Sequence, residues 1–333
     1  MRGGALRASL IGPNEMPCSM RRALACALLG SLWLPPGALA VYPDKPIRVV
    51  VPFPAGSGTD QAARVIGNEI TRATGQAVLV ENRPGANGFI ATEAVAKAPP
   101  DGYTVLLTSN THLVNKFLFR KLPYDPIGDF KSISLYKKPT PLVLVVSAAS
   151  PMKTLSDVVA RAKEGKLSYG SGNSSSRVGA ELFKQLIGAD ILYVPFKGNP
   201  EALTNVAAGR VDLMFSDAST FGALVQAGKL RAIVSCGPER INKAIPTSAE
   251  GGMPELVVGS WGMFLAPRNT PDDIADRLHA LVVGALKTEA VGRQFAESGA
   301  EPNLGSRADL DRFMASELKR WGEVITRAGI QPE

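Results

Sequence analysis

A chain of 333 residues exceeds the usual reach of one hydrophobic core and fits two domains of roughly 100–150 residues each. Hydrophobic residues at 45% and charged residues at 20% exclude an intrinsically disordered chain, which would be apolar-poor and charge-rich. The formal charge of +7 does not gather into a basic stripe with interleaved aromatics, so nucleic acid is not an expected partner.

The first 40 residues read as a secretory signal peptide: Arg21 and Arg22, an apolar run from Ala23 to Trp33, Pro35-Pro36, and the small-x-small ending Ala38-Leu39-Ala40. The run is too short for a membrane span, which needs roughly 20 residues. Cleavage after Ala40 would start the mature, periplasmic chain near Val41 and leave 33 basic against 29 acidic residues. Met16 or Met20 would serve equally as the start, and Cys26 lies inside the apolar run, which argues against a lipoprotein. Cys18 and Cys26 leave with this segment, so Cys236 stays without a disulfide partner and the core must suffice without one.

Further along, Ile47 to Phe53 forms a near-continuous apolar strand, followed by Gly56-Ser57-Gly58 and an amphipathic helix from Thr59 to Thr74. Strand Ala77 to Glu81, the turn Arg83-Pro84-Gly85, a helix to Lys97 and strand Thr104 to Thr108 come next. Apolar strands alternating with helices predict a parallel sheet covered on both faces, the α/β class. After strand Leu142 to Val146 and a helix from Thr154 to Lys166, the pattern restarts. Strands Leu167 to Tyr169, Ile191 to Val194, Val211 to Phe215 and Leu230 to Ser235 alternate with helices Arg177 to Leu186, Pro200 to Ala208 and Ser219 to Ala227, which suggests a second sheet with its own core. The tail from Pro271 to Gly329 is mostly helical, with segments opening at Thr270-Pro271 and Ser306. Its return to the first domain would place two crossings, near residues 140–150 and 250–260.

Catalytic groups are scarce. Only two histidines exist, His112 and His279, and a single histidine on the helix after Pro271 reads as structural. Val258 stands where the first glycine of G-x-S-x-G belongs, and Gln61 where a dinucleotide fingerprint needs its third glycine. No His, Cys, Asp and Glu set has metal-ligand spacing, and Cys236 ends an apolar strand as a small core residue.

What remains is a set of polar, glycine-rich loops at strand ends, where open α/β sheets bind ligands. Phe53 to Asp60 lets backbone amides approach a ligand, and the helix that follows offers unpaired donors and a partial positive charge to an anion. Asp60 reads as a first-turn cap that organises this loop, because a ligand carboxylate would repel it. Thr108-Ser109-Asn110-Thr111 follows another apolar strand, and Gly170 to Ser176 lies in the second domain, able to face the first loop across a cleft. Asp217-Ala218-Ser219-Thr220 is the fourth loop, where Asp217 either accepts from a ligand hydroxyl or ammonium or caps the next helix. Facing donor loops without a reactive group fit a clamshell binder.

The chain resembles the Bug family, the substrate-binding proteins of tripartite tricarboxylate transporters. The resemblance runs from about Tyr42 to the end and rests on Tyr42-Pro43-Asp44-Lys45-Pro46-Ile47-Arg48, Pro52 to Asp60, Glu81-Asn82-Arg83-Pro84-Gly85-Ala86-Asn87-Gly88, Pro100 to Thr104, Val194-Pro195-Phe196-Lys197-Gly198 and Gly228 to Ala232. It implies the type II periplasmic-binding-protein fold, two α/β lobes around a central cleft, with residues 41–143 and 256–333 in one lobe and 144–255 in the other. It implies ligand contacts from Phe53, Ala55, Gly56, Ser57, Gly58 and Thr59, from Ser109, Asn110 and Thr111, from Ser171, Asn173, Ser174 and Ser175, and from Asp217. Asn87 and Lys197-Gly198 fall in shared motifs and would shape the cleft. Many members carry Pro-Gly-Gly at Ala55-Gly56-Ser57 and a histidine at Arg177, and here Arg177 would favour a second anionic group on the ligand. The expectation is a monomeric periplasmic protein without cofactor or catalytic activity that captures a small organic carboxylate for membrane permease subunits. The alternative is a periplasmic sensor that presents a bound organic acid to a signalling receptor.

Overall fold

The computed structural model describes residues 42–333, and the signal-peptide reading lies outside the described residues. Two five-stranded sheets organise the fold, each with helices on both faces. The first has the order β2-β1-β3-β10-β4, with β1 (Ile47–Val51), β2 (Val78–Asn82) and β3 (Thr104–Ser109) parallel. The second sheet has the order β7-β6-β8-β5-β9 and is built from β5 (Val143–Ser147), β6 (Ser168–Ser171), β7 (Leu192–Pro195), β8 (Leu213–Ser216) and β9 (Leu230–Ser235).

The parallel sheet expected from the sequence is corrected to a mixed one, and the second sheet is mixed as well. β4 (Phe130–Pro141) and β10 (Gly259–Pro267) carry the chain out of the first lobe and back, so they run antiparallel, and β10 also runs antiparallel to β3. β5 likewise pairs antiparallel with β8 and β9. Only Leu142 separates β4 from β5, and its amide donates to the Val258 carbonyl (2.9 Å), so the outgoing and returning strands are bonded where they pass between lobes.

Local chemistry sets the helix starts. α1 (Gly58–Thr74) begins after Ser57, whose hydroxyl accepts from the Asp60 amide, and stops at Gly75 in the left-handed conformation. Between α1 and β4 come α2 (Phe89–Ala96) and α3 (Thr111–Leu118), the latter unforeseen. α4 (Leu155–Lys163) opens with a capping box made by Thr154 and Asp157. α5 (Ser174–Ile187) starts three residues before the expected Arg177, because Asn173 caps it and draws the serines into the first turn. α6 (Asn199–Ala207) and α7 (Ala218–Gln226) complete the second lobe, and α8 (Asp272–Leu286), α9 (Glu289–Glu297) and α10 (Arg307–Arg327) form the helical tail.

The helical tail packs on both faces of the first sheet. Leu278 and Val282 of α8 pack with Ile66 and Ile70 of α1 on one face of the first sheet. Leu310 and Met314 of α10 join Trp261 and Val95 on the other face. Two turns further along α10, Trp321 and Ile325 lie in the second lobe's cluster with Phe183 and Phe215, so one helix anchors both lobes.

Candidate functional site

The turn between β1 and α1 is held by one carboxylate. Asp60 accepts from the Gly56 amide (2.9 Å), from Asn82 Nδ2 (2.9 Å) and from Arg64 (2.9 Å). Burial pushes its carboxyl pKa up, but the bonds from Arg64, Gly56 and Asn82 together outweigh this and hold it below the usual range. Gly56 sits at φ +80°, where a side chain would strain the turn. Asp60 thus organises the loop, as its position suggested.

At the centre of the cleft, this turn meets four others. The starts of α1 (Ser57, Gly58, Thr59) and α3 (Ser109, Asn110) come from the first lobe. Those of α5 (Asn173, Ser175), α6 (Asn199) and α7 (Asp217, Ser219, Thr220) come from the second. They enclose a hollow of about 30 Å³, room for about two waters or one carboxyl group. Amides in a helix's first turn have no carbonyl behind them. Caps answer some: Asn173 serves the Ser176 amide (2.9 Å), and Thr220 Oγ1 accepts from the Gly58 amide across the cleft (3.3 Å). Those of Thr59, Ser175 and Ser219 have no acceptor among the described residues. Converging helix starts make the hollow electropositive without an added cation.

Direct contacts between lobes surround the hollow. Ser175 donates to Asn110 Oδ1 (2.8 Å) while Asn110 Nδ2 donates to the Gly259 carbonyl (3.0 Å), and Gln61 Nε2 donates to the Ser219 carbonyl (3.2 Å). Glycines permit the approach: a Cβ on Gly58 would lie 2.3 Å from Ser219 Oγ, and one on Gly198 would lie 2.4 Å from Pro54 Cγ. The Gly172 amide donates to Asn199 Oδ1 (3.1 Å), which ties the start of α5 to that of α6.

Of the residues singled out in the sequence, Phe53, Ser57, Gly58, Thr59, Ser109, Asn110, Asn173, Ser175 and Asp217 line this hollow. Ala55 and Gly56 do not: they form the exposed outer side of the turn, and the Gly56 amide is turned back onto Asp60. Ser174 is buried in the lobe contact, donating to Asn115 Oδ1 (2.6 Å). Thr111 and Ser171 open onto a larger neighbouring space of about 650 Å³, which shares Phe53 and Asn173 with the hollow. Arg177 lines that outer space and is not a free cation: its Nη2 lies 2.7 Å from Glu333 and its guanidinium rests over Tyr193. Asp217 neither caps α7 with its side chain nor stands free for a ligand ammonium, because it accepts from Ser260 Oγ and from Lys137 Nζ (3.4 Å) across the cleft. Lys137, Tyr136, Ser260 and Trp261 also line the hollow and were missed because β4 and β10 were not read as strands. Asn199 was missed beside the shared Lys197-Gly198 motif, its only signal.

The histidines serve the fold. His112 is buried, bonded through Nε2 to the Pro126 carbonyl (2.9 Å) and stacked on Tyr124, and burial lowers its pKa to about 4. His279 Nδ1 meets the Ile133 carbonyl at 2.8 Å. Cys236 is buried, and burial raises its thiol pKa, which suits a small core residue. Among the described residues no His, Cys, Asp and Glu cluster is placed to hold a metal, and no helix is long and apolar enough to cross a membrane.

Comparison with known proteins agrees with this architecture. Residues 62–330 match the family described as TctC, tripartite tricarboxylate transporter family receptor. Protein BugT of Bordetella pertussis is 33% identical over 302 residues, covering 88% of this chain and 92% of that one. An R. palustris protein with adipate superposes with a TM-score of 0.84 at 33% identity, over 88% of this chain and all of that one. MatC from Rhodopseudomonas palustris with bound malate gives a TM-score of 0.80 at 31% identity, over 85% of this chain and all of that one. The chain therefore belongs to the tripartite tricarboxylate transporter receptor family, the Bug-type solute-binding proteins.

Proposed function

We propose that this protein captures a small organic carboxylate in the periplasm and delivers it to the membrane subunits of a tripartite transporter, without altering it. The observation that carries the proposal is the convergence of five helix starts on a hollow sized for a carboxyl group. Donors fixed in the backbone need no rearrangement to receive an anion, and lobe closure around it removes competing water. The adipate and malate held by the two R. palustris relatives support the ligand class. The 30 Å³ hollow takes only the acid group, so the body of the ligand extends into the 650 Å³ space beyond Phe53 and Asn173. In this reading residues 41–143 and 256–333 form one lobe, residues 144–255 the other, and the monomer is exported by its leader. A thermal-shift screen across mono- and dicarboxylates tests the ligand class. An acid at about 100 times its dissociation constant adds roughly 2.7 kcal/mol to stability. At least one acid is expected to raise Tm by several degrees, and a panel in which none does would refute the proposal.

A further inference from the structure

Arg177 and Glu333 hold an ion pair in the wall of the outer space, close to where the body of a ligand would run. Glu333 reaches this place from the first lobe. Its amide donates to the Leu118 carbonyl (2.9 Å) and its carbonyl accepts from the Arg120 amide (2.8 Å), which fixes its backbone to the end of α3. Arg177 belongs to α5 in the second lobe, and its side chain is largely buried at 15% exposure. Burial and the aromatic face of Tyr193 limit where its guanidinium can go. Its Nε is buried without a partner, so the pair with Glu333 leaves part of its donor capacity unused. The other charged side chains lining the space are Lys197 and Glu201, one of each sign.

The charged side chains lining the outer space are thus two of each sign, in contrast to the electropositive hollow beside it. A ligand whose first carboxylate occupies the hollow would bring a second one against a guanidinium that already has its anion. We propose that Glu333 is a built-in counter-ion of Arg177 which makes the outer space select an uncharged ligand end, so that the protein prefers a monocarboxylate to the dicarboxylate of equal length. This rests on the carboxylate-binding reading above and narrows its substrate class. Glu333 acts as a positioning residue for charge, and Arg177 is the group it withholds.

The test is calorimetric titration of the full mature chain with matched acid pairs: butyrate and succinate, hexanoate and adipate, benzoate and terephthalate. The wild type is expected to bind the monocarboxylate of a pair at least about tenfold more tightly than its dicarboxylate. E333Q, which keeps the side chain's shape and removes its charge, is expected to move that ratio at least about tenfold toward the dicarboxylate. R177Q/E333Q is expected to abolish the gain, with Tm recorded for each variant. A wild type that prefers dicarboxylates, or an E333Q ratio unchanged from wild type, would overturn the inference while leaving carboxylate binding intact. If no acid of any pair binds the wild type, the underlying reading fails and the inference fails with it. Should R177Q/E333Q not fold, E333Q alone decides.

Discussion

Asp60 and Gly56 illustrate how a binding turn is made rigid from within. The carboxylate is 3% exposed, yet it is held ionised by a backbone amide, an asparagine and an arginine. A carboxyl with a lowered native pKa stabilises the fold above its unfolded pKa of about 3.9, and loses that contribution as pH falls through the native value. Asp60→Asn should therefore cost about 1–3 kcal/mol at pH 7, the scale of charge-assisted hydrogen bonds. The difference from wild type should shrink in acid below about pH 4, as urea melts at pH 7 and pH 3.5 would show. A penalty that is the same at both values would mean that the charge is immaterial and only the side chain's shape matters.

Strand-to-helix turns are the elements that make the site, and their legibility followed their chemistry. Ser57, Asn173, Thr154 and Ser306 are capping residues with short polar side chains, and the helices they open were foreseen within a few residues. The pairing of loops across the cleft was legible only in part. The sequence presents Phe53 to Asp60 and Gly170 to Ser176 as loops able to face each other, but the side-chain destinations of Ala55, Gly56 and Ser174 depend on tertiary contacts that no local pattern encodes. β4 and β10 were illegible for a plainer reason. Lys131, Lys137, Lys138 and Pro139 break the apolar run of β4, and two glycines interrupt β10, so neither shows a clean strand period although each crosses between lobes. Lys137 and Ser260, which bond Asp217, were lost with them. At this scale the sharpest steric constraint is Gly172, where a Cβ would fall 2.0 Å from the Gly198 carbonyl carbon. Gly172→Ala must push the starts of α5 and α6 apart, at a cost of about 1–3 kcal/mol in a denaturant melt. It should also weaken acid binding at least about tenfold, and unaltered affinity would show that the spacing of these starts does not matter to the ligand.

Across the whole molecule, two α/β lobes are joined by paired strands and by α10, whose buried residues belong to both cores. Such a frame can rock about its crossings while each lobe keeps its own sheet. The polar bonds across the cleft are of two kinds: long ones, such as Gly58 to Thr220 at 3.3 Å, Lys137 to Asp217 at 3.4 Å and Thr111 to Ser175 at 3.3 Å, and short ones, such as Ser175 to Asn110 at 2.8 Å and Ser174 to Asn115 at 2.6 Å. A bound anion that engages amides from both lobes would add to these contacts and shift the equilibrium further toward the closed form. The charge balance supports this role for the amides. Lys137 and Arg177, two cations on the ligand path, are each matched by a carboxylate, whereas the Thr59, Ser175 and Ser219 amides have no acceptor among the described residues. A crystal structure of the protein with the acid that raises its Tm most would test this directly. The account predicts carboxylate oxygens within about 3.2 Å of the Thr59 and Ser175 amide nitrogens, one from each lobe. A carboxylate seated instead on Arg177 or Lys197, with those amides facing only water or protein, would contradict it.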